Sequence, residues 1–374
     1  MSTPGSAAFD EEMMAIALTM ARRGLGSTAP NPSVGALVVD ERTGEIIARG
    51  TTQRGGRPHA ETEALARAGE RARGVTIYVT LEPCSHFGRT PPCADAIVAA
   101  GISRAVVAME DPDPRVAGRG LERLRKAGIS VTRGILTEPA RQVTRGHVLR
   151  LTERRPLVQV KVATDAEGRI ARGQAGRPAW VTSEEARARG HLLRAQADAI
   201  MVGAGTVADD DPDLTCRLPG LADLSPIRVI ASTHARNLLD TRLLKTAGDP
   251  PVWVVAGFQA AEADTGAIES RGARVLRAAT VAGTLWLPSA LEQLAGEGIT
   301  RLLVEGGPRL WRSLSDAGLI DEIAWFRAGG QPGDLSPLAR WLDVEQFVAV
   351  DEASHRDTGL LFLRRSAHIR PAAP

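Results

Sequence analysis

Four residues in the first hundred carry side chains that suit a borderline divalent cation, in an order that leaves one free for proton transfer. His59 and Glu61 sit two apart after Gly55-Gly56-Arg57-Pro58, and Cys84 and Cys93 each follow a proline. Imidazole and thiolate suit zinc, and a catalytic zinc site uses three protein ligands while keeping the fourth position for water. His59, Cys84 and Cys93 satisfy that count. Glu61 is then placed to take a proton from the water and pass it to a leaving group. Cys93 is expected at a helix N-terminus, where the macrodipole favours a thiolate. In the plainer reading His59 and Glu61 cap a helix and both cysteines are inert core residues. That reading must explain four coincidences in order, each at a strand–helix junction.

Those junctions follow from the hydrophobic pattern. Helical periodicity covers 10–23 with Asp10 as N-cap, and 34–40 with 45–50 reads as a hairpin around a Gly-containing turn. Helices are expected over 59–73, 94–100 and 118–127, and strands over 75–81, 104–109 and 129–133. This alternation predicts an α/β domain with a largely parallel sheet. The Arg-rich stretch 138–156 reads as a boundary, so two domains are expected, 1–150 and 151–374. Beyond it, strands are expected at 157–163, 199–202, 227–231, 252–256, 301–304 and 322–326. Helices are expected at 184–195, 289–295 and 308–317, and a hairpin at 346–350 and 359–363.

Composition excludes several function classes. Of 374 residues 43% are hydrophobic, the formal charge is only +2, and lysine occurs only at Lys126, Lys161 and Lys245. A scattered, near-neutral charge gives no basic face for a general nucleic-acid binder. Three cysteines do not make a disulfide framework and predict a reducing, cytoplasmic setting. The segment 1–8 has no signal-peptide pattern, and no apolar run is long enough to span a membrane.

His-x-Glu followed by Pro-Cys-x-x-Cys is the arrangement of zinc nucleobase deaminases. Here eight residues, not two, separate the cysteines. The added loop, Ser85 to Pro92, brings His86, Arg89 and Thr90 to the mouth of the expected site, a set suited to phosphate or sugar hydroxyls. Asn31, held between Pro30 and Pro32, suits reading a base edge. An RNA-directed deaminase shares the His-Ala-Glu and Pro-Cys elements, but the wide cysteine spacing and the absent basic face argue against it.

Three segments resemble the deaminase half of the bifunctional riboflavin-biosynthesis deaminase/reductase family: Pro30 to Gly35, Pro58 to Glu61, and Thr80 to Cys93. Asp111 to Pro114 and Val116 to Gly120 are similar as well. The resemblance implies a cytidine-deaminase-like three-layer α/β/α domain that removes an exocyclic amine from a phosphoribosyl pyrimidine, with Asn31, His86, Arg89 and Thr90 on the substrate. From Lys161 to Ala163, Trp180 to Ser183, Leu193 to Gln196, Gly205 to Pro212, Leu214 to Arg217 and Glu305 to Pro308, the chain resembles that family's reductase. This implies a dihydrofolate-reductase-like α/β domain using NADPH.

By the same resemblance Ala163, Trp180, Thr206, Asp210, Gly307, Pro308, Arg309 and Leu310 hold the cofactor. Lys161, Arg194, Leu214, Arg217 and Glu305 meet the substrate, with both arginines suited to its phosphate. Gly306-Gly307, between a strand and a helix, suits a cofactor phosphate on its own terms. The chain departs from the family pattern at Asp165, Glu167, Pro178, Ser232 and Phe326 to Gly330. These departures leave open an active deaminase joined to an altered or non-catalytic reductase. The family arrangement also implies a homo-oligomer, acting on a small molecule and away from membranes and nucleic acid.

Overall fold

The computed structural model describes residues 2–87, 91–113, 116–170, 183–329, 333–355 and 358–366. The chain divides into two units, Met1–Glu153 and Arg154–Pro374. The first runs α1 (Ala7–Arg23), β1 (Gly35–Asp40), β2 (Glu45–Thr51), α2 (Ala60–Ala68) and β3 (Thr76–Val79). It continues α3 (Cys93–Ala99), β4 (Arg104–Val107), α4 (Arg119–Lys126), β5 (Ser130–Arg133) and α5 (Thr137–Thr152).

Its sheet has the order β2-β1-β3-β4-β5. β3, β4 and β5 are parallel, but β1 is antiparallel to both neighbours. The sheet is therefore mixed rather than largely parallel, because the 35–51 hairpin enters it through β1.

α1 starts three residues earlier than its periodicity predicts. Ser6 is the cap, its Oγ accepting the Phe9 N–H at 3.2 Å. Asp10 lies inside the helix and buried, where it accepts from the Tyr78 hydroxyl at 2.8 Å and from Arg104. The face Phe9, Met13, Ala17 and Leu18 is fully buried in the core, and each large side chain there contributes about 1.5–3 kcal/mol. α2 is brought down on β2 at Gly50, where a Cβ would lie 2.1 Å from the Ala60 carbonyl. Only glycine permits that approach, and it fixes the helix turn that carries Glu61.

α5 occupies what reads in sequence as a linker. Its buried residues, Ala140, Val143, Thr144, Gly146 and Leu149, have helical spacing, but only Leu149 is a large apolar residue. The intervening arginines mask the stripe.

The second unit begins β6 (Leu157–Thr164), α6 (Glu184–Ala195), β7 (Ala199–Gly203), α7 (Ala204–Asp210), β8 (Ile227–Ser232) and α8 (Arg242–Lys245). Next come β9 (Val252–Gly257), α9 (Glu262–Glu269), β10 (Arg274–Ala278), β11 (Thr280–Val281), β12 (Thr284–Leu285) and α10 (Leu287–Gly296). It ends β13 (Arg301–Val304), α11 (Pro308–Asp316), β14 (Glu322–Ala328), α12 (Ser336–Ala339), β15 (Phe347–His355) and β16 (Thr358–Arg365).

Nine strands form one sheet, β10-β9-β8-β7-β13-β6-β14-β16-β15, parallel as far as β14 and closed by the antiparallel C-terminal hairpin. The central strands are apolar throughout, as with Ala199 to Val202, because a parallel sheet is covered on both faces. β7, β13 and β6 are neighbours, so Gly203, Glu305 and Ala163 come together at their C-terminal ends, where α/β sheets bind ligands. No described helix is long and apolar enough to cross a membrane.

Candidate functional site

His59 is the N-cap of α2, with extended backbone angles, and its side chain makes no capping hydrogen bond. The imidazole instead meets the two thiols. Cys84 lies in the segment after β3, and Cys93 is the first residue of α3, behind Pro92. His59 Nδ1 is 3.3 Å from Cys93 Sγ and 3.8 Å from Cys84 Sγ. All three donor atoms lie within 4.8 Å of one another. Tetrahedral bonds of about 2.0 Å to nitrogen and 2.3 Å to sulfur would separate N and S by about 3.5 Å. The observed distances bracket that value, and the donor set fits zinc.

The N-terminus of α3 acts on Cys84 as well as carrying Cys93. A hydrogen bond from the Cys93 side chain pulls Cys84 down to about 4 against its burial, with help from His59 and the Cys93 amide. Cys93 is pushed up, by its hydrogen bond to Cys84 and then by burial. The backbone N–H that opens α3 points at Cys84 Sγ, 3.3 Å away. The helix terminus therefore stabilises its neighbour's sulfur.

Glu61, in the first turn of α2, is buried. Burial pushes its carboxyl up to about 7, against the pull of His59 and with a push from Cys84. A carboxyl poised near neutrality can both accept and return a proton.

His59, Glu61 and Cys84 share one cavity of about 240 Å³ with Asn31 and His86. Asn31 Nδ2 donates to the Gly56 carbonyl at 2.8 Å, which ties its loop to the segment before His59. Arg89 and Thr90 lie outside the described residues. Arg57, Asp111, Asp113, His147 and Arg150 also line the cavity, none of them expected to. The Asp-Pro-Asp-Pro resemblance is the one signal that touches two of them. His147 and Arg150 ride on α5, the helix hidden among arginines. Burial pushes His147 down to about 4 although the Pro30 carbonyl accepts from its ring, and its Nδ1 is buried without a partner.

In the second unit a carboxylate gathers two cations. Glu305 Oε1 accepts from Arg194 Nε at 2.8 Å, and its Oε2 accepts from an Arg194 terminal nitrogen at 2.9 Å and from Lys161 Nζ at 3.1 Å. The other terminal nitrogen of Arg194 donates to the Thr215 carbonyl at 2.9 Å. Arg194 thus spends three of its five N–H donors within the protein. Arg217 is half-exposed, with only a 3.8 Å pairing to Asp213. Leu214, buried at a positive φ of 59°, lies on the same segment.

Thr206 Oγ1 accepts the Gly307 N–H at 3.2 Å and joins the turn after β7 to the turn after β13. Pro308, Arg309 and Leu310 form the first turn of α11, and Asp210 ends α7. Ala163 is on β6, while Trp180 and Pro178 lie outside the described residues.

Four of the departures have structural partners, and Glu167 is one, accepting from the Arg169 side chain at 2.8 Å. Ser232 Oγ accepts the Ala235 N–H, and Asp165 accepts two backbone N–H groups of its own turn and the Arg169 side chain. Arg327 is buried and donates to the carbonyls of Ala166 and Asp334, so it braces two loops. Gly330 lies outside the described residues.

Comparison with known proteins follows this division. Residues 7–109 match the cytidine and deoxycytidylate deaminase zinc-binding region, and residues 156–333 match the RibD C-terminal domain. The riboflavin biosynthesis protein RibD of Escherichia coli is 41% identical over 330 residues, covering 85% of this chain and 87% of that protein. Its Aquifex aeolicus counterpart is 40% identical over 319 residues, covering 85% and 86%. The structure of Acinetobacter baumannii RibD superposes with a TM-score of 0.82 at 33% identity, covering 96% of this chain and all of that one. A Thermotoga maritima structure, described as a diaminohydroxyphosphoribosylaminopyrimidine deaminase/5-amino-6-(5-phosphoribosylamino)uracil reductase, superposes at 0.79 with 32% identity, covering 96% and 99%. Whole-length similarity, both domain matches and the His–Cys–Cys cluster agree: the chain belongs to the RibD family of riboflavin biosynthesis proteins and is a bifunctional deaminase/reductase.

Proposed function

We propose that residues 1–150 hydrolytically deaminate 2,5-diamino-6-ribosylamino-4(3H)-pyrimidinone 5′-phosphate, and that residues 151–374 reduce the product's ribosyl group to a ribityl chain with NADPH. The Thermotoga maritima relative, described by both activities, supports the pairing. The observation that carries the first half is the His59–Cys84–Cys93 cluster, with buried Glu61 lining the same cavity as His59 and Cys84. Those three residues would hold Zn2+, which when bound would supply a Lewis acid that makes water nucleophilic at neutral pH. Glu61 takes a proton from that water at a carboxylate oxygen and delivers it to the exocyclic nitrogen. Water and the ring amine thereby become a ring carbonyl and ammonia. Asn31 reads the pyrimidine edge, and His86, Arg89 and Thr90 take the sugar and phosphate.

In the second half Ala163, Trp180, Thr206, Asp210 and the turn Gly307 to Leu310 would hold NADPH, which when bound would supply hydride for the ribose C1. Glu305 fixes the Lys161 ammonium beside the sugar, Arg194 holds Glu305 in place, Leu214 shapes the pocket, and Arg217 takes the phosphate. The protein acts as a homo-oligomer in the cytoplasm, with its cysteines reduced.

A coupled assay measures ammonia release and NADPH oxidation on the phosphoribosyl pyrimidine. Both are expected from the parent protein. Glu61→Gln should lower ammonia release by roughly 10²–10⁴-fold while zinc content stays at the parent level. A variant that deaminates at the parent rate refutes the role of Glu61. Unchanged NADPH absorbance with saturating deaminated intermediate refutes the second half.

A further inference from the structure

Two buried glutamates line the deaminase cavity, and only one is open to chemistry. Glu82 is 3% exposed, and both of its oxygens are saturated by backbone amides. Oε2 accepts from Asp111 N at 3.1 Å and Gly118 N at 2.9 Å; Oε1 accepts from Gly120 N at 2.8 Å and Leu121 N at 3.3 Å. Its own N–H donates to the Met109 carbonyl at 3.0 Å. A carboxylate with four amides on it has no lone pair left for a proton-transfer role. Instead it pins both ends of the segment that joins β4 to α4, with Gly120 and Leu121 contributing the N-terminal amides of α4.

That segment is part of the cavity. Asp111, Asp113 and Val116 line it together with His59, Glu61 and Asn31. The chain from Glu82 continues inward: Asp111 Oδ1 accepts the Asp113 N–H at 2.9 Å, and the Asp113 carbonyl accepts from Val116 and Ala117 at 2.8 Å each. We infer that Glu82 is a positioning residue for the deaminase reaction: its carboxylate sets Asp111, Asp113 and Val116, the wall against which the substrate is held. Glu82 stands two residues before Cys84 in the chain, so one short segment supplies both a metal ligand and the anchor of the facing loop. A neutral amide at 82 cannot replace it. An amide oxygen still accepts two N–H groups, but the amide nitrogen then confronts the other two donors inside a buried site.

The inference rests on the reading of this cavity as the deaminase site, so the parent protein is assayed first. No ammonia from the parent overturns that reading and, with it, the role of Glu82 in that reaction. With an active parent, Glu82→Gln is compared for KM, kcat and zinc content. Lost positioning is expected to raise KM about tenfold or more with kcat changed less than about threefold, at parent zinc content and parent NADPH oxidation. A merely structural carboxylate would lower the melting temperature and leave KM unchanged, and that result overturns the inference. Loss of zinc, or a fall in kcat at constant KM, also overturns it. If Glu82→Gln does not fold, Gly118→Ala decides. Gly118 has φ +76° and open space around its Cβ position, so alanine strains the loop without a clash and leaves Glu82 intact. Raised KM in Gly118→Ala then supports the inference, and parent KM overturns it.

Discussion

Replacing Glu305 by glutamine removes a negative charge from a point where two cations converge. Burial alone would raise the Glu305 carboxyl, but Arg194 and then Lys161 hold it well below the usual carboxylate range. Glutamine keeps the shape and one acceptor, yet leaves Arg194 and Lys161 facing each other without a counter-charge. Removing one partner of a buried ion pair costs about 3–5 kcal/mol, and the retained acceptor places this variant near the lower figure. With a urea slope of about 2–3 kcal/mol/M, the unfolding midpoint of the second unit should fall by about 1 M. The sequence offers a clean probe, because all six tryptophans (180, 253, 286, 311, 325 and 341) lie beyond residue 153. Tryptophan fluorescence therefore follows the second unit alone.

The pH dependence gives a second arm to the same experiment. A carboxylate depressed by folding stabilises fully above its unfolded value, about 4.3, and loses that contribution as pH falls towards its folded value. The gap between parent and Glu305→Gln should be constant from pH 8 to about 5 and narrow below about 4. A midpoint shift under about 0.3 M at pH 7, or a gap that widens on acidification, would refute the argument.

Dialysis against a zinc chelator should abolish ammonia release while NADPH oxidation on the deaminated intermediate persists; loss of both together would contradict separate sites. Arg217→Ala should raise the reductase KM by roughly tenfold, the loss of one charge-assisted contact, with little change in kcat. A variant with parent KM would remove Arg217 from phosphate recognition. His147 is held neutral by burial, with its folded value near 4 and its unfolded value near 6.5. The unfolded chain therefore binds the proton first, and stability falls as pH drops from about 6.5 to about 4, by at most about 3 kcal/mol. His147→Phe should flatten that slope in thermal melts of deaminase activity between pH 7 and 5. An equal slope in parent and variant would refute the assignment.

The four residues of the metal cluster and its acid were legible in sequence for a physical reason. Few side chains can ligate zinc, and the prolines before His59, Cys84 and Cys93 mark the ends of elements. Periodicity likewise placed the strands that bring Gly203, Glu305 and Ala163 to one end of a sheet. Asp10 reads as a cap because an acid precedes an apolar run. Its real partners, Tyr78 and Arg104, lie 68 and 94 positions away, and Ser6 takes the cap. α5 stayed hidden because its buried stripe has a single large apolar residue, Leu149, among arginines, and His147 and Arg150 stayed hidden with it.

The sequence by itself determined which chemistry this protein carries, since ligand type, spacing and strand–helix alternation are local properties. Tertiary structure decided where each charge and proton goes. It showed that the amide opening α3 serves Cys84, that Glu82 is saturated while Glu61 is not, and that Arg194 turns to Glu305 across 111 positions. The partner of a buried polar group is chosen by packing between distant segments, and no local pattern encodes it.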